Sequence, residues 1–332
     1  MPCRGETRYK YRYVDTRPDL KAHKNTVETD QESSLIQAVA RYVRVTGDQQ
    51  LLDEDVRGVS VRDRVDMAVE YLFTHRWSEE YGLIWGATTA DWGDVQPEHE
   101  WGVELNDDSH LAIDIYDNAL LIGAMDEYFA VDAAARKKWS PRIEALRASV
   151  REKLWDAESA KFVANLYLKD SPFPASFDEG EVYGFGGVGV AMEAGVLERE
   201  EIAATYQVMR AKLEASGAPT IGITVYPTYP EGAFLNPSMA PFSYQNGGDW
   251  TWFGARTARQ LAAHGFVAES YRELEPMLDR VIKHDGFYEW WTRDNQPKGS
   301  GSFRGAAGVL IEAIQELRAW AEEQKLEVGD KE

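Results

Sequence analysis

The chain has a single cysteine, Cys3, among 332 residues. That excludes an internal disulfide and any metal site built from several thiolates. Long apolar runs are missing as well: no stretch approaches the roughly 18 residues that a membrane span needs. The opening residues, MPCRGETRYK, lack an apolar core, so no secretory signal is expected and a cytoplasmic location follows from that reading. Basic residues are outnumbered, with 36 Lys/Arg against 56 Asp/Glu and a net charge of −20. Such a balance argues against nucleic acid or an anionic membrane as partner. The excess is uneven, because residues 1–30 carry seven Lys/Arg and five Asp/Glu, a net of +2 that leaves −22 for the rest.

Several chemistries are also short of residues. The six histidines (His23, His75, His99, His110, His264 and His284) show no HExxH or paired-ligand spacing, so no catalytic metal is expected. There is no GxSxG elbow and no P-loop. The segment YGFGGVG at 183–189 mimics a Gly-rich phosphate loop but lacks a buried strand before it. Cys3 sits in a terminus and makes a poor nucleophile. No cofactor is implied. Aromatics, by contrast, are plentiful: 11 Trp, 16 Tyr and 12 Phe, many beside Gly, Asn and Asp in loop-like stretches. That placement suits a site that stacks sugar rings; the alternative is a large aromatic core.

Helical periodicity dominates the rest. Leu35, Ile36, Val39, Ala40 and Val43 form one stripe over 31–46, and Gly47 stops it. Further helices are expected near 60–75 (with Ser60 as N-cap), 109–129, 140–155 (Pro141 just inside its start), 185–196, 199–215, 247–264, 267–284 and 303–325. Long Gly-, Pro- and aromatic-rich loops, 77–108, 170–184, 217–246 and 285–302, alternate with short connections. Loops this long in a compact domain usually serve a function. The alternation predicts helical hairpins whose long loops gather on one face, with small β-hairpins at 161–168 and 220–228. With no linker in sight, residues 1–332 read as one domain, about 1–25 and 326–332 being loop or tail.

The segment 26–48, TVETDQESSLIQAVARYVRVTGD, then gives a specific resemblance. Asp30 lies eighteen residues before the Asp of Thr46-Gly47-Asp48, with Tyr42 on the helix between. This resembles the general-acid segment of the six-hairpin (α/α)6-barrel glycosidases, a group that includes neutral invertases, trehalases, debranching-type glucosidases and, more distantly, cellobiose-type phosphorylases. The competing role for Asp30 is simply to cap its helix. Residues 284–314 resemble the general-base segment, with Glu289 between Tyr288 and Trp290 in the place of the base. YGLIWGATTADWGDVQP (81–97) and YQNGGDWTWFGAR (244–256) resemble substrate loops of the same group.

The resemblance implies an all-α (α/α)6 toroid and an inverting glycoside hydrolase acting on an α-glucosidic type of bond. Asp30 would be the acid and Glu289 the base, with Asp91 a reserve acid. Glu28, Asp91, Trp92, Asp94, Asn246, Asp249, Trp250, Trp290 and Arg304 would contact an oligosaccharide or glycoside. A closed double ring needs twelve helices, so either some escape this reading or the first hairpins are absent. Two rivals stand beside it. One is a phosphorylase of the same fold using GSGSFRG (299–305) with Lys298 and Arg304 for phosphate; the other is an inactive sugar-binding relative.

Overall fold

The computed structural model describes residues 13–17, 20–23 and 26–329, apart from 101 and 104. Cys3 and most of the basic N-terminal segment lie outside these. Among the described residues nine α-helices form: α1 (Asp30–Thr46), α2 (Val61–His75), α3 (Ile115–Val131), α4 (Ala133–Lys153), α5 (Phe185–Glu193), α6 (Arg199–Ser216), α7 (Thr251–Ala263), α8 (Val267–His284) and α9 (Arg304–Gly329). Local chemistry sets their ends. Gly47 closes α1 at φ 72°, and the Ser60 hydroxyl accepts the Asp63 amide at 3.0 Å to open α2. The start of α4 lies well before the expected residue 140. Asp132 caps it, accepting the amides of Ala134 and Ala135, so Pro141 sits inside the helix rather than at its first turn.

Two helix populations follow from the sequence pattern. In α3 and α5 apolar residues surround the axis, and Phe185–Met192 is buried throughout. Such helices belong in a protein's interior. Helix α8 instead buries one stripe, Ser270, Glu273, Leu274, Met277 and Arg280. Accordingly α1, α3, α5, α7 and α9 pack in succession as inner helices, while α2, α4 and α8 flank α1, α3 and α7 from outside. This is the helical toroid that the resemblance implied, built from the hairpins that the long-loop alternation predicted, with five inner and four outer helices among the described residues.

The strand pieces behave differently from expectation. Residues 161–168 form no hairpin of their own. Lys161–Phe162 pairs with Trp155–Asp156, and Leu166–Tyr167 joins Leu111–Ile113 and Gly86–Ala87. Val225–Tyr226 pairs with Tyr183–Gly184. Ladders this short gain little alone, and Leu166–Tyr167 and Val225–Tyr226 borrow partners from other loops. No helix among the described residues is long and apolar enough to cross a membrane.

Candidate active site

The N-termini of the five inner helices meet at one end of the toroid. Tyr116 at the start of α3 donates its hydroxyl to Asp30 Oδ2, at the start of α1, at 3.1 Å. Asp91 accepts the amides of Gly186 and Gly187 in the first turn of α5 at 2.7 and 2.9 Å. Trp92 stacks on Phe253 of α7 with ring centroids 4.2 Å apart, and Trp252 meets Phe303, which precedes α9, at 5.6 Å. Below this rim a cavity of about 290 Å³ runs between the inner helices. Asp30, Tyr116, Trp252 and Arg304 line its rim end; Arg41, Glu193, Arg256 and Glu312 line it farther along the helices. Those deeper charges neutralise one another: Glu193 accepts Arg256 at 2.7 Å and Arg41 at 3.1 Å. Arg304 forms no ion pair among the described residues.

Asp30 does not cap its helix. Thr29 holds the N-cap position, and its amide bonds the buried Asp117 carboxylate at 3.1 Å, which fixes the backbone just before Asp30. Burial and then the Asp30 charge push the Tyr116 phenol well above its usual range, so it remains a donor to Asp30. Glu28 completes the acidic group. Gln31 holds its Oε1 at 2.7 Å, while Oε2 is buried with no hydrogen-bond partner among the described residues. Burial, followed by the charges of Asp30 and Asp94, pushes the Glu28 carboxyl up to about 8. Asp94 accepts the Gln245 amide at 2.8 Å. Glu28, Asp30 and Asp94 therefore form one field, and at neutral pH Glu28 keeps its proton.

Several expected contacts are instead held inside the fold. Asn246 is fully buried. Its side chain accepts the Tyr229 amide at 2.8 Å and donates both N–H groups to the Tyr229 and Met239 carbonyls, so it faces the interior of its loop. Asp249 is buried against Arg280 at 2.7 Å and also accepts the Thr220 hydroxyl and amide. Asp91 is committed to the first turn of α5, and burial pushes its carboxyl up to about 7 in spite of those two bonds. Trp92 and Trp250 are 7% and 3% exposed, so they form the floor beneath the rim rather than an open stacking face. Trp250 donates its indole N–H to the Tyr244 carbonyl at 2.9 Å. The glycines of 183–189 serve packing, since a Cβ at Gly186 would lie 2.2 Å from the Trp92 ring and one at Gly187 2.7 Å from Asp91.

Glu289 and Trp290 are half-buried on the loop before α9. Ser300 N–H donates to Glu289 Oε2 at 3.1 Å, and the Glu289 amide donates to the Ser300 carbonyl at 2.9 Å. Gly299, at φ +68°, leaves room for that carboxylate, because a Cβ there would lie 2.4 Å from it. Glu289 is not among the side chains lining the 290 Å³ cavity. Sequence reasoning missed Tyr116, Asp117, Trp252, Gln245 and the Arg41–Glu193–Arg256 network. The signal for the first two was a Tyr-Asp-Asn triplet opening an otherwise apolar helix, where polar groups need buried partners. No group of three or more His, Cys, Asp or Glu among the described residues could hold a metal ion.

The raised carboxyls couple stability to pH. Glu28 and Asp91 ionise in the unfolded chain near their ordinary values of 4.5 and 3.8, but in the fold only at about 8 and about 7. Their stabilising contribution is therefore complete below those ordinary values and is lost progressively as pH rises from there through 7–8. The thermal midpoint should be higher at pH 6 than at pH 8.5, and Glu28→Gln should reduce that difference. A midpoint that climbs between these two pH values would contradict this assignment.

Neither a protein-family model nor a curated protein matches the chain. Solved structures do. A GH63 mannosylglycerate hydrolase from Thermus thermophilus, in complex with Tris and D-glycerate, superposes with TM-score 0.58 at 14% identity, over 89% of this chain and 79% of that one. A GH78 rhamnosidase of Bacillus sp. GL1 matches with TM-score 0.56 at 16% identity, over 86% of this chain and 26% of that one. The cellobiose 2-epimerase of Bacillus thermoamylovorans gives 0.53 at 12%, over 86% and 71%. The chain thus has the six-hairpin (α/α)6-barrel fold that these enzymes share.

Proposed function

We propose that the chain is a glycoside hydrolase that cleaves an α-glucosidic type of O-glycosidic bond with inversion. The observation that carries this reading is the setting of Asp30. Its carboxyl stands at the rim end of the cavity, accepts the Tyr116 hydroxyl and lies close enough to Glu28 to raise the pKa of that carboxyl. A carboxyl group fixed there faces the cavity from a set position, as a proton donor to a glycosidic oxygen requires. The fold shared with two glycoside hydrolases and a sugar epimerase supports a carbohydrate substrate.

In this mechanism Asp30 gives its proton to the glycosidic oxygen as the bond to the anomeric carbon breaks. Glu289 takes a proton from water, whose oxygen bonds that carbon from the opposite face. Arg304 offers a guanidinium with no ion pair among the described residues at the same end of the cavity. For inversion the two carboxyls should stand roughly 6.5–9.5 Å apart with substrate bound, leaving room for water. The test is a panel of glycosides followed by NMR of the first-formed anomer. Release with inverted configuration is expected, and retained configuration would sink the two assigned roles.

A phosphorylase is the second reading, because Arg304 follows the Gly-rich loop and carries no ion pair among the described residues. Product analysis with and without inorganic phosphate separates the two. A glycosyl phosphate would favour the phosphorylase, and free sugar in both conditions favours the hydrolase.

A further inference from the structure

Of the aromatic residues that remain half-buried at the rim, only Trp290 was expected there from the sequence, and their arrangement is ordered. Trp252 lines the cavity beside Asp30 and meets Phe303 at 5.6 Å. Phe303 and Tyr244 both edge onto the buried Trp250 ring, at 6.2 and 5.3 Å. Tyr244 in turn meets Trp290 at 6.3 Å. A run of ring contacts, each between 5.3 and 6.3 Å, thus leads from Trp252, beside the acid, through Phe303, Trp250 and Tyr244 to Trp290.

The loop that presents Tyr244 is held rigidly. Tyr244 has φ +44°, a left-handed conformation that costs a non-glycine residue energy and persists only where its surroundings enforce it. Here they do. Asn246 is locked by three hydrogen bonds, and the Trp250 indole grips the Tyr244 carbonyl. A strained ring-bearing loop fixed from below is a preorganised binding surface. Sugars suit it, since their C–H faces pack on aromatic rings while their hydroxyls find polar neighbours.

We propose that Trp252, Phe303, Tyr244 and Trp290 form a track for an extended glycan, so that the substrate is an oligosaccharide reaching beyond the units at the cleaved bond. This rests on the hydrolase reading above, and the test keeps the two apart. The Asp30→Asn chain, used to prevent turnover, is titrated calorimetrically with the maltose-to-maltohexaose series and with the corresponding cello-oligosaccharides. Affinity should rise with length in one series. Adding Trp290→Ala should weaken the longest sugar by roughly three- to tenfold, more than the disaccharide, since one aromatic contact contributes about that much. Trp290→Phe should restore most of the loss, which covers the case of an alanine variant that folds poorly. Affinity that is independent of length in both series, absent altogether, or weakened equally at every length by Trp290→Ala would overturn the track. Length-dependent binding of sugars that the unmodified chain fails to cleave would keep the track and sink the hydrolase reading. Cleavage of the shortest glycosides with no gain from length would do the reverse.

Discussion

Asp30→Asn should lower kcat/KM by about 10²–10⁴-fold, the usual contribution of a positioned general acid, while substrate still binds. Asparagine keeps the shape and can still accept the Tyr116 hydroxyl, which lies 3.1 Å from Oδ2 of the native carboxylate. What it removes is the transferable proton. The loss should therefore shrink for substrates with good leaving groups, which need little protonation as the bond breaks. Glu289→Gln should behave differently and slow every substrate alike, because water loses its base whichever group departs. Comparing nitrophenyl glycosides with the natural-type sugar measures both. An equal loss on all leaving groups for Asp30→Asn would remove it from the role of acid. Glu28→Gln adds a third reading of the same field. Glu28 keeps its own proton up to about pH 8, so its replacement should remove a titration near that pH from the pH–rate profile and leave the rest of the profile in place.

Arg280→Met should destabilise the fold by about 3–5 kcal/mol, against a total that for most domains is only about 5–15 kcal/mol. Arg280 reaches from α8 to Asp249 at 2.7 Å, and both side chains are at most 1% exposed. Asp249 also accepts Thr220 and pairs its backbone with Trp291, so the loops before α7 and α9 are joined through it. The guanidinium lies 4.8 Å from the Trp291 ring centroid. Removing the cation leaves a buried carboxylate without its charge partner, which is the costly half of breaking such a pair. Urea unfolding of Arg280→Met, Asp249→Asn and the double variant checks this. The double variant should recover part of the single-variant loss. Strict additivity would mean that the pair is uncoupled and the assignment wrong.

Much of the fold was legible in the sequence because the signals are local. The start of α5, the stripe of α1, Gly47 and the Ser60 cap depend on neighbours within a few residues, so periodicity and capping chemistry place them. Helix α3 was expected from residue 109 but starts at Ile115, where Asp114 caps it by accepting the Asp117 amide. The start of α4 was misplaced because Pro141 resembles a first-turn proline, while the Asp132 cap that sets the start was overlooked. Two of the short strands, Leu166–Tyr167 and Val225–Tyr226, failed for the opposite reason: their partners lie in other loops.

The site divides along the same line. Motif spacing drew attention to Asp30, Asp94, Trp290 and Arg304, which remain at the rim or on its loops. The same reading could not separate them from Asn246, Asp249, Trp92 and Trp250, because polar and aromatic residues in a loop look alike whether they face solvent or hold the loop together. Only the tertiary structure decided that Asn246 locks one loop, that Asp249 neutralises a buried arginine, and that two tryptophans are floor. It alone brought Tyr116, 86 residues away in sequence, to Asp30. Burial and charge proximity are long-range quantities, and they alone place the Glu28 proton near neutral pH. The chain's own pattern determined most of the helices; which loop side chains lie buried inside the fold and which stay at the rim was settled by packing.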